Sequence, residues 1–123
     1  MKNKIKIREY LESTYLKTDS ESGLSKSENR KVVEDIINEA IKYRFVLVML
    51  RPEHISLAKR LIEERNSKTL IGTVIDFPLG DSSTDQKLKE ARESIYFGAD
   101  DLDFVADYNA FKAQLFDKFD NDI

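Results

Sequence analysis

This sequence contains no cysteine, which excludes disulfide bonds, thiolate catalysis and cysteine metal sites. It has a single histidine, and one histidine without a carboxylate cluster cannot build a metal site. Positive charge is not in excess, since 20 lysines and arginines stand against 23 aspartates and glutamates, for a net charge of −3. We therefore expect no nucleic-acid partner.

Long apolar runs are also missing from the chain. No segment approaches the roughly 18 apolar residues that cross a bilayer. The first eight residues are charged throughout and lack the apolar centre of a signal peptide. We therefore expect a cytoplasmic protein with no membrane partner.

From about Ser25 onward, helical and strand patterns alternate. Ser25 and Glu28 have the spacing of a capping box at the start of a helix. Short apolar runs at residues 45–50, 70–75 and 102–105 predict buried strands, and a weaker alternation at residues 10–16 predicts an earlier one. Four strands separated by helices predict a parallel sheet with right-handed crossovers.

The later helices carry apolar stripes. We expect a helix over residues 84–97 with Leu88, Ala91 and Ile95 pointing inward, ended by Gly98. Residues 108–119 predict one amphipathic helix with phenylalanines and a leucine along one side. Residues 117–122 are typical of a frayed, acidic chain segment.

Four βα units fit two architectures. One is a small open doubly wound sheet, and the other is half of an eight-stranded (β/α)8 barrel. Composition and periodicity do not separate them.

Asp103 is the first candidate for chemistry. An acid within an apolar strand is costly unless it is paired or put to use. It is either a proton-transfer group or an acid that caps a turn or pairs with a lysine. Arg51, at the end of an earlier strand, is either an anion contact or the partner of a surface acid.

Six motifs occur in one order between residues 11 and 103, and the resemblance that they carry covers essentially the whole chain. They are LESTYLK (11–17), EAIKYRF (39–45), MLRP (49–52), GTVIDFPLG (72–80), KLKEA (87–91) and GADDLD (98–103). In this order and spacing the chain resembles the N-terminal half of deoxyribose-phosphate aldolases, class I aldolases on a (β/α)8 TIM barrel of about 250 residues.

The resemblance implies reversible cleavage of 2-deoxy-D-ribose 5-phosphate to glyceraldehyde 3-phosphate and acetaldehyde through a lysine Schiff base. It implies a small phosphorylated sugar as substrate, and no cofactor or metal. Asp103 matches the family's proton-shuttling aspartate. The implied substrate-binding residues are Glu12, in place of the usual aspartate, Thr14, Leu16, and Met49, where many members have cysteine.

The resemblance places the Schiff-base lysine and the glycine-rich phosphate loops in the second half of the family's barrel. A reactive amine needs burial or a neighbouring cation, and no lysine of this chain lies in an apolar strand. We therefore expect residues 1–123 to form one N-terminal half-barrel domain of about four βα units. This domain is truncated relative to the family and inactive alone. The alternative is a non-catalytic binding or assembly module derived from the aldolase fold.

Half a barrel leaves two open sheet edges and an inner face. We expect that inner face to be exposed and rich in leucine, valine and phenylalanine, a kind of surface that marks association sites. The expected outcomes are self-association as a homo-oligomer, pairing with a complementary half, or rearrangement into an open sheet.

Overall fold

The computed structural model describes residues 4–123, so the first three residues of the charged N-terminal segment lie outside the described residues. Four parallel strands form one sheet: β1 (Glu12–Tyr15), β2 (Leu47–Leu50), β3 (Leu70–Ile75) and β4 (Asp101–Phe104). Their order in the sheet is the order in the sequence. A doubly wound sheet reverses its strand order at a switch point. The half-barrel topology is therefore confirmed, and the doubly wound alternative is wrong.

Helices join consecutive strands, and two short helices follow β4. The helices are α1 (Asp19–Ser22), α2 (Lys26–Tyr43), α3 (Ile55–Glu64), α4 (Thr84–Phe97), α5 (Tyr108–Lys112) and α6 (Phe116–Asn121), with 3-10 turns at Ile7–Tyr10 and Pro52–His54. Within residues 4–123, no helix combines the length and apolar character needed to cross a membrane.

Side-chain hydrogen bonds determine where α2 begins. The Ser25 hydroxyl accepts from the Glu28 amide at 3.2 Å, and the Glu28 carboxylate accepts from the Ser25 amide at 2.8 Å, as the capping-box spacing predicts. The helix ends at Tyr43 and is capped by Arg44, whose φ of 57° is left-handed. Glycine usually occupies this position because a side chain is strained there.

The main core lies on one face of the sheet, which we call the outer face. Val48 and Leu50 of β2 and Ile71 of β3 pack there against apolar side chains of α2 and α3. Each such side chain contributes about 1.5–3 kcal/mol when it is fully buried. This burial holds α2 and α3 on the outer face of the sheet.

Helix α4 has the predicted bounds but not the predicted orientation. Leu88 and Ile95, expected to point inward, are 47% and 57% exposed, whereas Lys87 and Ser94 are buried. The inward prediction is therefore wrong for both apolar residues. Because β4 is the last strand of the sheet, the apolar side of α4 has no further strand or long helix to pack against among residues 4–123.

The segment after β4 also differs from the prediction. Instead of one helix over residues 108–119, α5 and α6 are separated at Gln114, which has a left-handed φ of 60°. The ring of Phe111 lies 5.7 Å from that of Phe116 and 5.1 Å from that of Phe119, measured between centroids. The prediction of a frayed end is wrong too, because the Asp122 carboxylate is buried in an ion pair with Lys87.

Two glycines with left-handed backbones provide a test of the packing between the β3–α4 loop and the end of β4. A Cβ at Gly80 (φ 70°) would lie 2.5 Å from the Ala106 carbonyl oxygen, whereas one at Gly23 (φ 69°) would meet nothing within 4 Å. We expect Gly23→Ala to lower the free energy of unfolding by about 1–2 kcal/mol, the cost of the backbone conformation. Gly80→Ala should lower it by about 3 kcal/mol or more, because the clash adds an overpacking cost. Urea denaturation measures both, and equal losses would contradict the close approach.

Candidate functional site

Strand register assembles the predicted site residues on the second face of the sheet, which we call the inner face. Thr14 pairs with Met49, Met49 with Gly72, and Val74 with Asp103. Paired side chains, and side chains two residues apart in a strand, point to the same side of a sheet. Four of the five predicted residues therefore share the inner face: Glu12, Thr14, Met49 and Asp103.

The apolar part of the inner face is buried rather than exposed. Leu47, Met49 and Val74 pack together, and Leu16, the fifth predicted residue, packs against them. Met49 is only 4% exposed because it lies over β3, where a Cβ at Gly72 would be 2.7 Å from the Met49 methyl group. The prediction of an exposed apolar inner face is therefore wrong for these residues, since a strand glycine lets their side chains close over one another.

The polar part of the inner face is open. Glu12, Thr14 and Asp103 are exposed, and the Asp103 side chain forms no hydrogen bond or ion pair with any residue from 4 to 123. The prediction that its strand is buried is wrong, because β4 is an edge strand with β3 on one side only. Asp103 therefore neither caps a turn nor pairs with a lysine, and its carboxylate is accessible.

Known proteins with similar sequences and folds are aldolases. No protein-family model matches the chain. The deoxyribose-phosphate aldolase of Thermococcus kodakarensis is 36% identical over 124 residues, which cover 98% of this chain and 50% of that protein. Among solved structures, an aldolase named QR15 is 29% identical with a TM-score of 0.79, over 96% of this chain and 48% of that chain.

A third relative is the deoxyribose-phosphate aldolase of Aeropyrum pernix, described as a unique tetramer. It is 28% identical with a TM-score of 0.67, over 82% of this chain and 39% of that chain. This chain matches about half of a deoxyribose-phosphate aldolase. It spans about half the length of the curated relatives it matches. Its four parallel strands with flanking helices match the βα units of these aldolase barrels, as the sequence predicts.

The carboxyl end of β2 carries a second polar group. The guanidinium of Arg51 lies 5.6 Å from the centre of the Phe77 ring, and it forms no ion pair with residues 4–123. The alternative of a surface ion pair is therefore wrong for Arg51. His54 follows at the start of the next helix, half-buried, and burial lowers the pKa of its imidazole. The imidazole is accordingly mostly neutral at pH 7.

The chain also contains a buried lysine that the sequence did not reveal. The Lys87 ammonium donates to the carbonyls of Gly80 and Val105, both at 2.8 Å, and to the Asp122 carboxylate. The Asp76 carboxylate lies 3.8 Å away. Because three acceptors use the three N–H bonds of an ammonium, Lys87 is a structural cation and not a free amine nucleophile. It joins the β3–α4 loop, the end of β4 and the final residues.

Asp107 strengthens the same connection. Its carboxylate accepts from the Ala110 amide at 2.9 Å and lies 3.2 Å from the Lys118 ammonium. The backbone hydrogen bond, followed by the contact with Lys118, holds the pKa of Asp107 below its usual range. The Asp107 amide in turn donates to Asp122 at 2.9 Å. The acids of the last segment therefore hold the end of the chain against α4.

The buried pair can be tested by substitution. We expect Lys87→Met to lower the free energy of unfolding by about 3–5 kcal/mol, because it leaves the Asp122 carboxylate buried without its cation. The matched control is Lys89→Met, which removes an exposed ion pair with Glu93 on the same helix and should change stability by under about 0.5 kcal/mol. Urea denaturation of both variants measures the difference. Equal effects would show that Lys87 is not held as described.

Proposed function

We propose that this chain forms the N-terminal half of a deoxyribose-phosphate aldolase barrel. The completed barrel cleaves 2-deoxy-D-ribose 5-phosphate reversibly to glyceraldehyde 3-phosphate and acetaldehyde. The observation that carries the proposal is the shared inner face, where the unpaired Asp103 carboxylate lies in the same sheet surface as Thr14 and Met49. The name and the 36% identity of the Thermococcus kodakarensis protein supply the reaction.

Four of the five predicted site residues have a role in this reaction. A lysine amine attacks the aldehyde carbon of the open-chain sugar and, after loss of water, forms an imine that draws electrons from the C2–C3 bond as it breaks. Asp103 accepts and returns the protons that these steps move. The Thr14 hydroxyl forms a hydrogen bond with the substrate. Leu16 and Met49 form the apolar wall that keeps water from the imine.

The amine comes from the other half of the barrel. Among the lysines in residues 4–123, only Lys87 is buried, and its ammonium is already bonded to three acceptors. The other lysines are exposed, so they lack the apolar surroundings that activate a lysine as a nucleophile. We therefore expect the chain to be inactive until a complementary half supplies the Schiff-base lysine and the phosphate-binding loops.

A second candidate function is a non-catalytic assembly module on the aldolase fold. Its support is the set of apolar side chains exposed on the last βα unit: Leu88, Ile95 and Phe104. Exposed apolar patches mark association sites. The Aeropyrum pernix relative is described as a tetramer, so self-association as a homo-oligomer is the assembly this alternative predicts.

Borohydride trapping separates the two candidates. The chain is incubated with 2-deoxy-D-ribose 5-phosphate and sodium borohydride, alone and after co-expression with the unmatched half of the Thermococcus kodakarensis protein. We expect no reduced adduct on this chain, and a covalent mass increase on the complementary half. Asp103→Asn in this chain should slow the cleavage by about 100-fold or more, the usual contribution of proton transfer.

Asp101→Asn is the matched control, because Asp101 lies on the same strand and face, two residues toward the amino end, and is also exposed. It should leave the cleavage rate within about threefold of that of the unsubstituted complex. A carboxylate two residues along the strand lies too far from the substrate to transfer its proton. An adduct on this chain alone would overturn the assignment of the lysine to the other half. Equal losses for the two variants would overturn the role of Asp103.

A further inference from the structure

A cavity of about 640 Å³ lies at the end of the sheet opposite to Asp103. Its walls include Val46, just before β2, and Leu70, the first residue of β3. Asp103 pairs with Val74 near the carboxyl end of β3. At about 3.3 Å per residue, Leu70 and Val74 are roughly 13 Å apart along the strand. The cavity is therefore separate from the inner-face site of the proposed reaction.

Positive charge dominates the rim of this cavity. Arg44, Arg65 and Lys68 line it, against a single acid, Glu9. None of these three cations forms an ion pair with any described residue. In a chain with a net charge of −3, three unpaired cations around one cavity form a local field that favours an anion.

The floor of the cavity is apolar and firmly held. Phe45, Val46 and Leu70 contribute apolar surface, and Leu70 is 42% exposed although it begins a strand. The Thr69 hydroxyl donates to the Phe45 carbonyl at 3.0 Å, and the Leu70 amide donates to the Val46 carbonyl at 2.9 Å. These bonds join the two segments that form the floor, so the cavity is preformed.

Backbone strain occurs at the same place. Arg44 and Asn66 both line the cavity, and both have left-handed backbones, with φ of 57° and 49°. Arg44 occupies the position after α2 where glycine would be unstrained. Among residues 4–123, four non-glycine residues have a positive φ, and two of them line this cavity. Strained backbones cluster at functional sites, often at the expense of stability. The arginine at this position is explained if its guanidinium is needed in the cavity.

We propose that this cavity binds a small organic anion, with a phosphate or carboxylate held by Arg44, Arg65 and Lys68 and an apolar body against Phe45 and Leu70. Its volume lies within the range of about 300–1,000 Å³ typical of small-molecule sites. Paired hydrogen bonds from guanidinium groups suit both kinds of anionic group. Because the floor is apolar, an anion that carries an apolar group should bind more tightly than an inorganic ion.

The probe for this site is phenyl phosphate, titrated into the chain by calorimetry. Benzyl alcohol, which lacks the charge, and inorganic phosphate, which lacks the ring, are titrated in parallel. We expect phenyl phosphate to bind at least about tenfold more tightly than either, and its affinity to fall as salt is added. Binding of inorganic phosphate as tightly as phenyl phosphate would overturn the ligand class, and no saturable binding of phenyl phosphate would overturn the site.

Arg44→Gly makes the test specific, because it should move affinity and stability in opposite directions. We expect phenyl phosphate to bind about tenfold more weakly, since a cation is lost, while the melting temperature rises, since glycine relieves the left-handed strain. The matched control is Gln114→Gly, at another left-handed position that does not line the cavity. It should raise the melting temperature and leave the dissociation constant unchanged. An unchanged dissociation constant in Arg44→Gly would contradict the proposal.

Discussion

In-register pairing of Gly72 with Met49 on one side and Asp101 on the other determines what each face of this sheet can do. Because Gly72 has no side chain, Met49 closes over β3 and buries the apolar part of the inner face. The same register keeps Asp103 on that face, exposed and without a partner among residues 4–123. A slip of one residue would turn every side chain of a strand to the opposite face and separate these groups.

The two ends of the strands then serve different purposes. Near the carboxyl ends lie Asp103, Thr14 and the Arg51–Phe77 pair, on the end where barrel enzymes carry their chemistry. At the amino ends, three unpaired cations surround a preformed cavity with an apolar floor. Lys87 holds the last βα unit together by joining a loop, a strand end and Asp122. The fold thus keeps the polar part of the inner face exposed, while ion pairs and hydrogen bonds hold the last βα unit.

Local patterns predicted the elements, and tertiary context decided what the patterns left open. The Ser25–Glu28 spacing and the apolar runs located α2 and the strands because these signals depend on near neighbours. The inward face of α4 was not predictable from its own apolar stripe, because β4 is the last strand of the sheet among residues 4–123 and leaves that stripe exposed. Lys87 was missed because its partner Asp122 lies 35 residues away and no local pattern links them. Motif order located the inner-face residues, but only the register brought them together.

If this chain is half of a barrel, its strands should differ in how well their amides are protected from hydrogen exchange. Amide hydrogen exchange followed by mass spectrometry compares β4 with β2, for the chain alone and with the complementary half present. We expect β4, an edge strand, to exchange much faster than β2 in the chain alone, and to become protected when the other half closes the sheet. Slow exchange of β4 in the chain alone, unchanged on mixing, would contradict the view of this chain as a half-barrel that needs a second half.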